Sequence, residues 1–306
     1  MSNVHVGVNG LARKATALYV GANGLARKVV KGYIGADGLA RLFYSEAQPF
    51  PYTYTGTYTE SEITVGGVAY TMLTITGSGT LTVNRAISAD VWLCGSGMNG
   101  GTASTSAFGG GGGGGYVASA NVQLSGNTSC VIGAAGSGAT SFGNLTATGG
   151  VVGAPGFGGN GGSGGGSGAS SSSAAPAGTG AGASTIPSAF GLSDAHCAGG
   201  GGGAGIWAGV SSFSGGAGGS NGANGGTATM VSSGLVYGGI GGEKGGGSGG
   251  LASNSAASMN NGGNATFYGS GGGGGGIYMS GVVLLGTGGS GYQGVVYIRW
   301  KKEDAE

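Results

Sequence analysis

Polar and apolar positions alternate at the two ends of the chain and lose all periodicity in between. Tyr52 to Thr59 interleaves tyrosine with threonine, and Ile63-Thr-Val65, Val68 to Thr76 and Thr80-Leu-Thr-Val83 continue the rhythm. A period of two, carried by β-branched and aromatic residues, predicts half-buried strands, and Gly66-Gly67 and Gly77-Ser-Gly79 predict tight turns between them. Ala89 to Cys94 is a last apolar strand, and Gly294-Val-Val-Tyr-Ile-Arg-Trp300 is the clearest strand of all. We expect these two to pair and close the intervening region between them. The charged tail after Trp300 is expected to be solvated.

Upstream, a shorter pattern repeats with a 14-residue period: Val6-Gly-Val-Asn-Gly-Leu-Ala-Arg-Lys14, then Val20 to Lys28, then Ile34 to Leu42. Each copy centres on Asn9-Gly10, Asn23-Gly24 or Asp37-Gly38, pairs suited to the two-residue type I′ turn. Each copy is therefore predicted to be a β-hairpin, with Val8 facing Leu11 and Val6 facing Arg13. A lone hairpin is marginal, so the three should stack into one small sheet or pack on a partner. Arg13, Lys14, Arg27 and Lys28 make this end basic, as a solvated edge or as docking residues for a larger assembly. Two prolines in residues 45–51 mark a boundary.

Between the strands, at 95–294, 71 of 200 residues are glycine and decide the picture. They come in runs at 109–115, 158–168, 199–205, 215–226, 238–250 and 269–276. A strict Gly-X-Y period is missing and proline is rare, which excludes collagen. Bare glycine suits the threefold extended helix of polyglycine II, which has no internal hydrogen bonds and must pair its backbone with neighbours. Seven glycines in that form span about 22 Å. The expected fold is all-β: hairpin repeats at 1–48, antiparallel strands at 49–94, a layer of packed polyglycine-II helices at 95–294, and a closing strand with tail at 295–306.

Charge and cysteine narrow the function. Charged residues are 7% of the chain and the net charge is +1, which argues against nucleic acid as a partner. Three cysteines without metal-like spacing read as buried thiols. The longest apolar run, Val282 to Leu285, is too short to span a bilayer, and MSNVHVGVNG shows no secretory signal. G-x-G-x-x-G matches are meaningless at this glycine density, and Lys244 is followed by Gly245 rather than by Ser or Thr. Asp194-Ala-His196-Cys197 is the one place where carboxylate, base and nucleophile lie close in sequence, which does not make a triad. No catalytic residue, metal or cofactor is expected. Binding is expected instead from non-glycine excursions at 169–198, 206–214 and 251–268, with Phe190, His196, Trp207, Phe213, Phe267 and Tyr268 as the candidate contacts or, alternatively, as packing residues.

Two stretches carry a resemblance. The tandem V/I-G-x-N/D-G-L-A-R units of residues 4–44 resemble N-terminal segments of bacteriophage tail-associated proteins. Residues 74–300, with Thr76-Gly-Ser-Gly-Thr-Leu-Thr-Val83 at the entry, FGGGGGGGYVASANVQL from Phe108 and GGSGYQGVVYIRW up to Trp300, resemble the glycine-rich domain of phage tail fibres. In architecture alone the chain is similar to T-even-like phage adhesins. The resemblance implies a virion protein at the tail tip or fibre, bound to other virion proteins through its repeats and to a bacterial surface receptor, protein or glycan, through its loops. A homotrimer is one form such fibres take. The alternatives are a purely structural head fibre or capsid decoration and, third, an ice-binding polyglycine protein.

Overall fold

The computed structural model describes the strand backbones within residues 5–45, and residues 52–302 except 137, 169–175, 181–185, 208–210, 221–222, 227–228, 232–235, 243–244, 253–259 and 281. The tail at 303–306, the boundary at 46–51 and the turn pairs of the N-terminal repeats lie outside them. The fold is all-β, with one 3-10 turn at Ser188–Phe190 among the described residues. The chain divides into two compact units, Met1–Pro51 with Lys302–Glu306, and Tyr52–Lys301.

The first unit contains three hairpins: β1 (His5–Val8) with β2 (Leu11–Lys14), β3 (Tyr19–Ala22) with β4 (Leu25–Lys28), and β5 (Lys31–Ala36) with β6 (Leu39–Ser45). Val8 pairs with Leu11 and Val6 with Arg13, the register that a two-residue turn imposes. The expectation that they share one sheet is not met, since each is a separate two-stranded sheet.

The second unit is built on an eight-stranded sheet. Its strands are β7 (Tyr52–Tyr54), β8 (Tyr58–Val65), β9 (Val68–Ile75), β10 (Gly79–Cys94), β11 (Val117–Val131), β12 (Thr140–Phe142), β13 (Leu145–Ala147) and β19 (Val295–Lys301), in the order β13-β12-β11-β10-β19-β9-β8 with β7 also on β10. Gly66 and Gly67, at φ 58° and 80°, make the β8–β9 turn that residues with a Cβ disfavour. β19 lies between β9 and β10, with Asp90 opposite Arg299 and Cys94 opposite Val295, as its apolar composition predicts. Alternate residues Leu73, Ile75, Leu81, Leu93, Val296 and Ile298 fill the core, each under 1% exposed.

The glycine runs leave this sheet and form a bundle. In run 109–115 the N–H groups of Gly109, Gly112 and Gly115 donate to Gly275, Gly272 and Gly269. Those of Gly110 and Gly113 donate to Ala154 and Val151, and those of Gly111 and Gly114 to Gly166 and Ser163, all at 2.7–3.0 Å. Its carbonyls accept from Gly203 and Gly200, from Gly101 and Met98, and from Gly159 and Gly162. Hydrogen bonds thus recur every third residue in three directions, and the run is surrounded by six other stretches of chain. Runs 199–204 and 271–276 are surrounded in the same way, and the three bond to one another through Gly200 to Gly112, Gly112 to Gly272 and Gly274 to Gly201. The expected layer is therefore a bundle with an interior. A threefold chain aims its donors about 120° apart, so neighbours on one plane cannot satisfy it.

This geometry explains where the sequence is pure glycine. A methyl group built on Gly111 would sit 1.9 Å from the Gly200 carbonyl oxygen, and one on Gly112 2.1 Å from that of Met98. Outer runs tolerate side chains that face solvent, such as Asn160, Ile240, Asn261, Asn264, Thr287 and Ser290. Several of these complete the outer hydrogen bonds: Asn261 Oδ1 accepts from Thr287 N at 2.9 Å and Asn264 Oδ1 from Ser290 N at 2.8 Å.

Candidate functional site

One end of the bundle joins the eight-stranded sheet, where Gly95 N bonds to Tyr116 O and Tyr116 N to Thr148 O. The other, far end is where Gly101, Gly109, Gly203 and Gly275 bond to one another and Gly110 donates to Ala154. Beyond it the central runs 199–204 and 271–276 continue as β14 (Gly205–Trp207) and β17 (Ile277–Ser280), which stay paired in parallel. With β15 (Ser211–Ser214), β16 (Thr229–Val231) and β18 (Val282–Leu285) they make a second sheet in the order β16-β15-β14-β17-β18.

This far-end sheet has a small core of its own, formed by Ala103, Phe108, Phe213 and Ile277 with Met279 against it. The Phe108 and Phe213 rings are 5.8 Å apart, and a methyl group on Gly205 would overlap the Phe108 ring. Outside that core the tip is apolar and open. Val282, Val283 and Leu285 on β18 are 59%, 52% and 38% exposed, and Phe157, in the turn closing at the same end, is 53% exposed. Among the described far-end residues none is charged, so recognition there rests on shape, apolar area and hydroxyl or backbone groups.

The candidate contacts divide between the two ends. Phe213 is buried at 4%, inside the far-end core, because β15 turns it onto Phe108. Trp207 lies on β14, opposite Ser211 and Met279; its side chain lies outside the described residues. The excursion tips at 169–175, 208–210 and 253–259 also lie outside them. Phe190 and His196 are corrections to the expectation of presented loops: residues 186–197 fold back onto the sheet, leaving Phe190 3% and His196 1% exposed. The reason is apolar burial, since Phe190 joins Met72, Trp92, Val295 and Tyr297. Phe267 and Tyr268 are half-buried and flank the His196 ring, with centroids at 4.8 and 6.2 Å. The Arg13, Lys14, Arg27 and Lys28 backbones lie on β2 and β4; their side chains lie outside the described residues.

The His196 ring sits where the sheet meets the bundle, packed among Trp92, Phe267, Tyr268 and Tyr297. Nδ1 lies 2.9 Å from the Asp194 carbonyl oxygen, so Nδ1–H donates and Nε2 accepts from the Tyr297 hydroxyl at 2.9 Å. Burial pulls the imidazole pKa from 6.5 to about 4, against an opposing pull from Asp194. The ring is held neutral with both nitrogens engaged, and burial raises the Tyr297 hydroxyl, which stays protonated. Beside it Arg299 binds Asp90 Oδ2 through Nε and Nη2 at 3.0 and 2.9 Å and stacks over Tyr70 at 4.2 Å. Among the described residues no three His, Cys, Asp or Glu side chains gather where a metal could sit.

Sequence reasoning used Val282 to Leu285 only to exclude a membrane span. Four successive apolar residues with no charged neighbour are themselves the signal of an exposed apolar strand or a buried one, and only the fold separates the two. Among the described residues no helix is long and apolar enough to cross a membrane. Comparison with protein-family models and with curated proteins yields no match for this chain.

Proposed function

We propose that this chain is a non-enzymatic phage virion protein, at the tail tip or fibre, that uses a rigid polyglycine-II bundle to present a far-end surface to a receptor on the bacterial host. The observation that carries the reading is the sorting of side chains along the bundle axis. Trp92, Phe190, His196 and Tyr297 at the sheet end are packed inward, whereas the far end holds β14 to β18 and the open apolar residues Val282, Val283, Leu285 and Phe157. A patch of this sort on a stiff support is what a binding surface needs, because little ordering is left to do on contact. The three-residue recurrence of backbone bonds supports polyglycine II as the support. The basic hairpins Arg13-Lys14 and Arg27-Lys28 take the docking role toward other virion proteins, and several copies per particle would add avidity.

The test is an exchange of residues 205–214 and 277–285 with the equivalent stretches from a related phage. Host range is expected to follow the exchanged segments. Unchanged host range and adsorption, with the exchanged protein folded and incorporated, would return the chain to a purely structural role.

A further inference from the structure

Two thiols meet at the joint between sheet and bundle, and the proposed function uses neither. Cys94 ends β10 and Cys197 opens the central run toward 204; both are 0% exposed. A methyl group on Gly269 would stand 2.7 Å from Cys197 Sγ and 3.0 Å from Cys94 Sγ, so the two sulfurs converge on one point. Cys130 sits apart on β11, opposite Gly79 and Phe142, with the Tyr54 hydroxyl for a partner.

The backbone adds a second, independent observation. Cys197 has φ 59° and is the one non-glycine residue among those described in the left-handed region. A Cβ is disfavoured there and glycine would relieve the clash. In a chain this rich in glycine, what cysteine offers over glycine at 197 is its side chain, packed in one cluster with Cys94.

We propose that Cys94 and Cys197 are a disulfide site, which joins β10 covalently to the central glycine run when the chain folds in an oxidising medium. Glutathione disulfide is a sufficient oxidant. The thiolate of one cysteine attacks it and releases one glutathione thiolate; the second cysteine thiolate then attacks the mixed disulfide and releases the other. Two electrons pass from the cysteine pair to the glutathione disulfide, and the two cysteine protons end on the two glutathione thiols. Burial raises the Cys197 thiol well above its ordinary range and closes the solvent path, so exchange belongs to the folding chain and is slow in the native protein. The bridge closes the long loop from 94 to 197 and stabilises the unit by restricting the unfolded chain.

The experiment refolds reduced, denatured protein with and without oxidised glutathione, alkylates free thiols under denaturing conditions, and maps peptides by mass. Chymotrypsin is the protease of choice, because Trp92, Tyr116, Phe142, Phe190 and Trp207 separate the three cysteines while no Lys or Arg lies between Arg85 and Lys244. The expected result is a peptide pair bridged through Cys94 and Cys197, with Cys130 alkylated and Tm raised by about 10 °C over the reduced form. The bridge persists in Cys130→Ser, which cannot mispair, and both bridge and shift are absent in Cys94→Ser. Full alkylation of Cys94 and Cys197 after oxidative refolding of the wild type or of Cys130→Ser overturns the proposal, and so does a bridge to Cys130.

Discussion

At the residue scale, the interior glycines and His196 make opposite demands. A glycine at 111, 112 or 201 cannot gain even a methyl group, because the nearest atoms are carbonyl oxygens about 2 Å from where it would lie. The backbone of a neighbouring run would have to shift in each case. Gly112→Ala and Gly201→Ala are expected to leave the second unit unfolded or insoluble, whereas Ser290→Ala, on an exposed outer face, should change stability by under about 1 kcal/mol; circular dichroism and thermal melting of soluble fractions check the contrast. His196 fails in another way. Its pKa is lower folded than unfolded, so the stability it contributes is complete above about 6.5 and is lost as pH falls toward about 4. The loss is on the order of 3 kcal/mol. Urea titrations at pH 7 and pH 4.5 should therefore show a steeper pH dependence for the wild type than for His196→Gln; equal slopes would remove His196 as the cause. The candidate contacts were half legible at this scale. Phe190 and His196 sit in a serine- and alanine-rich excursion that reads as a loop, and only the Trp92 and Tyr297 rings, far away in sequence, turn it inward.

Among elements, β19 holds the most consequential place. It forms last in chain order yet lies in the middle of the sheet, between β9 and β10. Ending the chain at Gly294 would bare two central strand edges and remove Val295, Val296, Tyr297, Ile298 and Trp300 from the core. Such a truncation is expected to aggregate on expression, and recovery of soluble, protease-resistant protein would contradict this role for β19. The Asp90–Arg299 pair fixes the same contact at the surface side. Asp90→Ala leaves a guanidinium only 11% exposed without its carboxylate, and a loss of about 1–3 kcal/mol in urea unfolding is expected. The β10–β19 pairing was readable in advance, because both strands are apolar and stand at the borders of the glycine region. The bundle's cross-section was not, because glycine carries no side chain to say which run faces which. The useful sign was the purity of each run: 109–115, 199–203 and 271–276 are interior and the stretches carrying Ile240, Asn261 and Asn264 are peripheral, although 161–168 is buried with Ser163 and Ser167 in it.

In the glycine bundle of the second unit, cohesion comes from backbone hydrogen bonds rather than from side-chain packing. The central runs form neither helix nor ladder, yet their amides are buried and bonded on every side. Hydrogen exchange should find the amides of 110–114, 200–203 and 271–275 as slow as those of β10 and β19, opening only with global unfolding. Fast exchange in the runs beside slow exchange in the sheet would mean that the bundle melts independently.

The cradle around the central runs also governs how the gene can vary. All four glycine codons share their first two bases, so a change at the third base is silent and any missense change at the other two installs a Cβ. In runs 109–115, 199–203 and 271–276 the tolerated point changes are thus the synonymous ones. Heritable diversity is forced outward, onto the peripheral residues and the far-end strands, and the near-identical glycine codons on either side of those strands give recombination places to exchange a tip without disturbing its support.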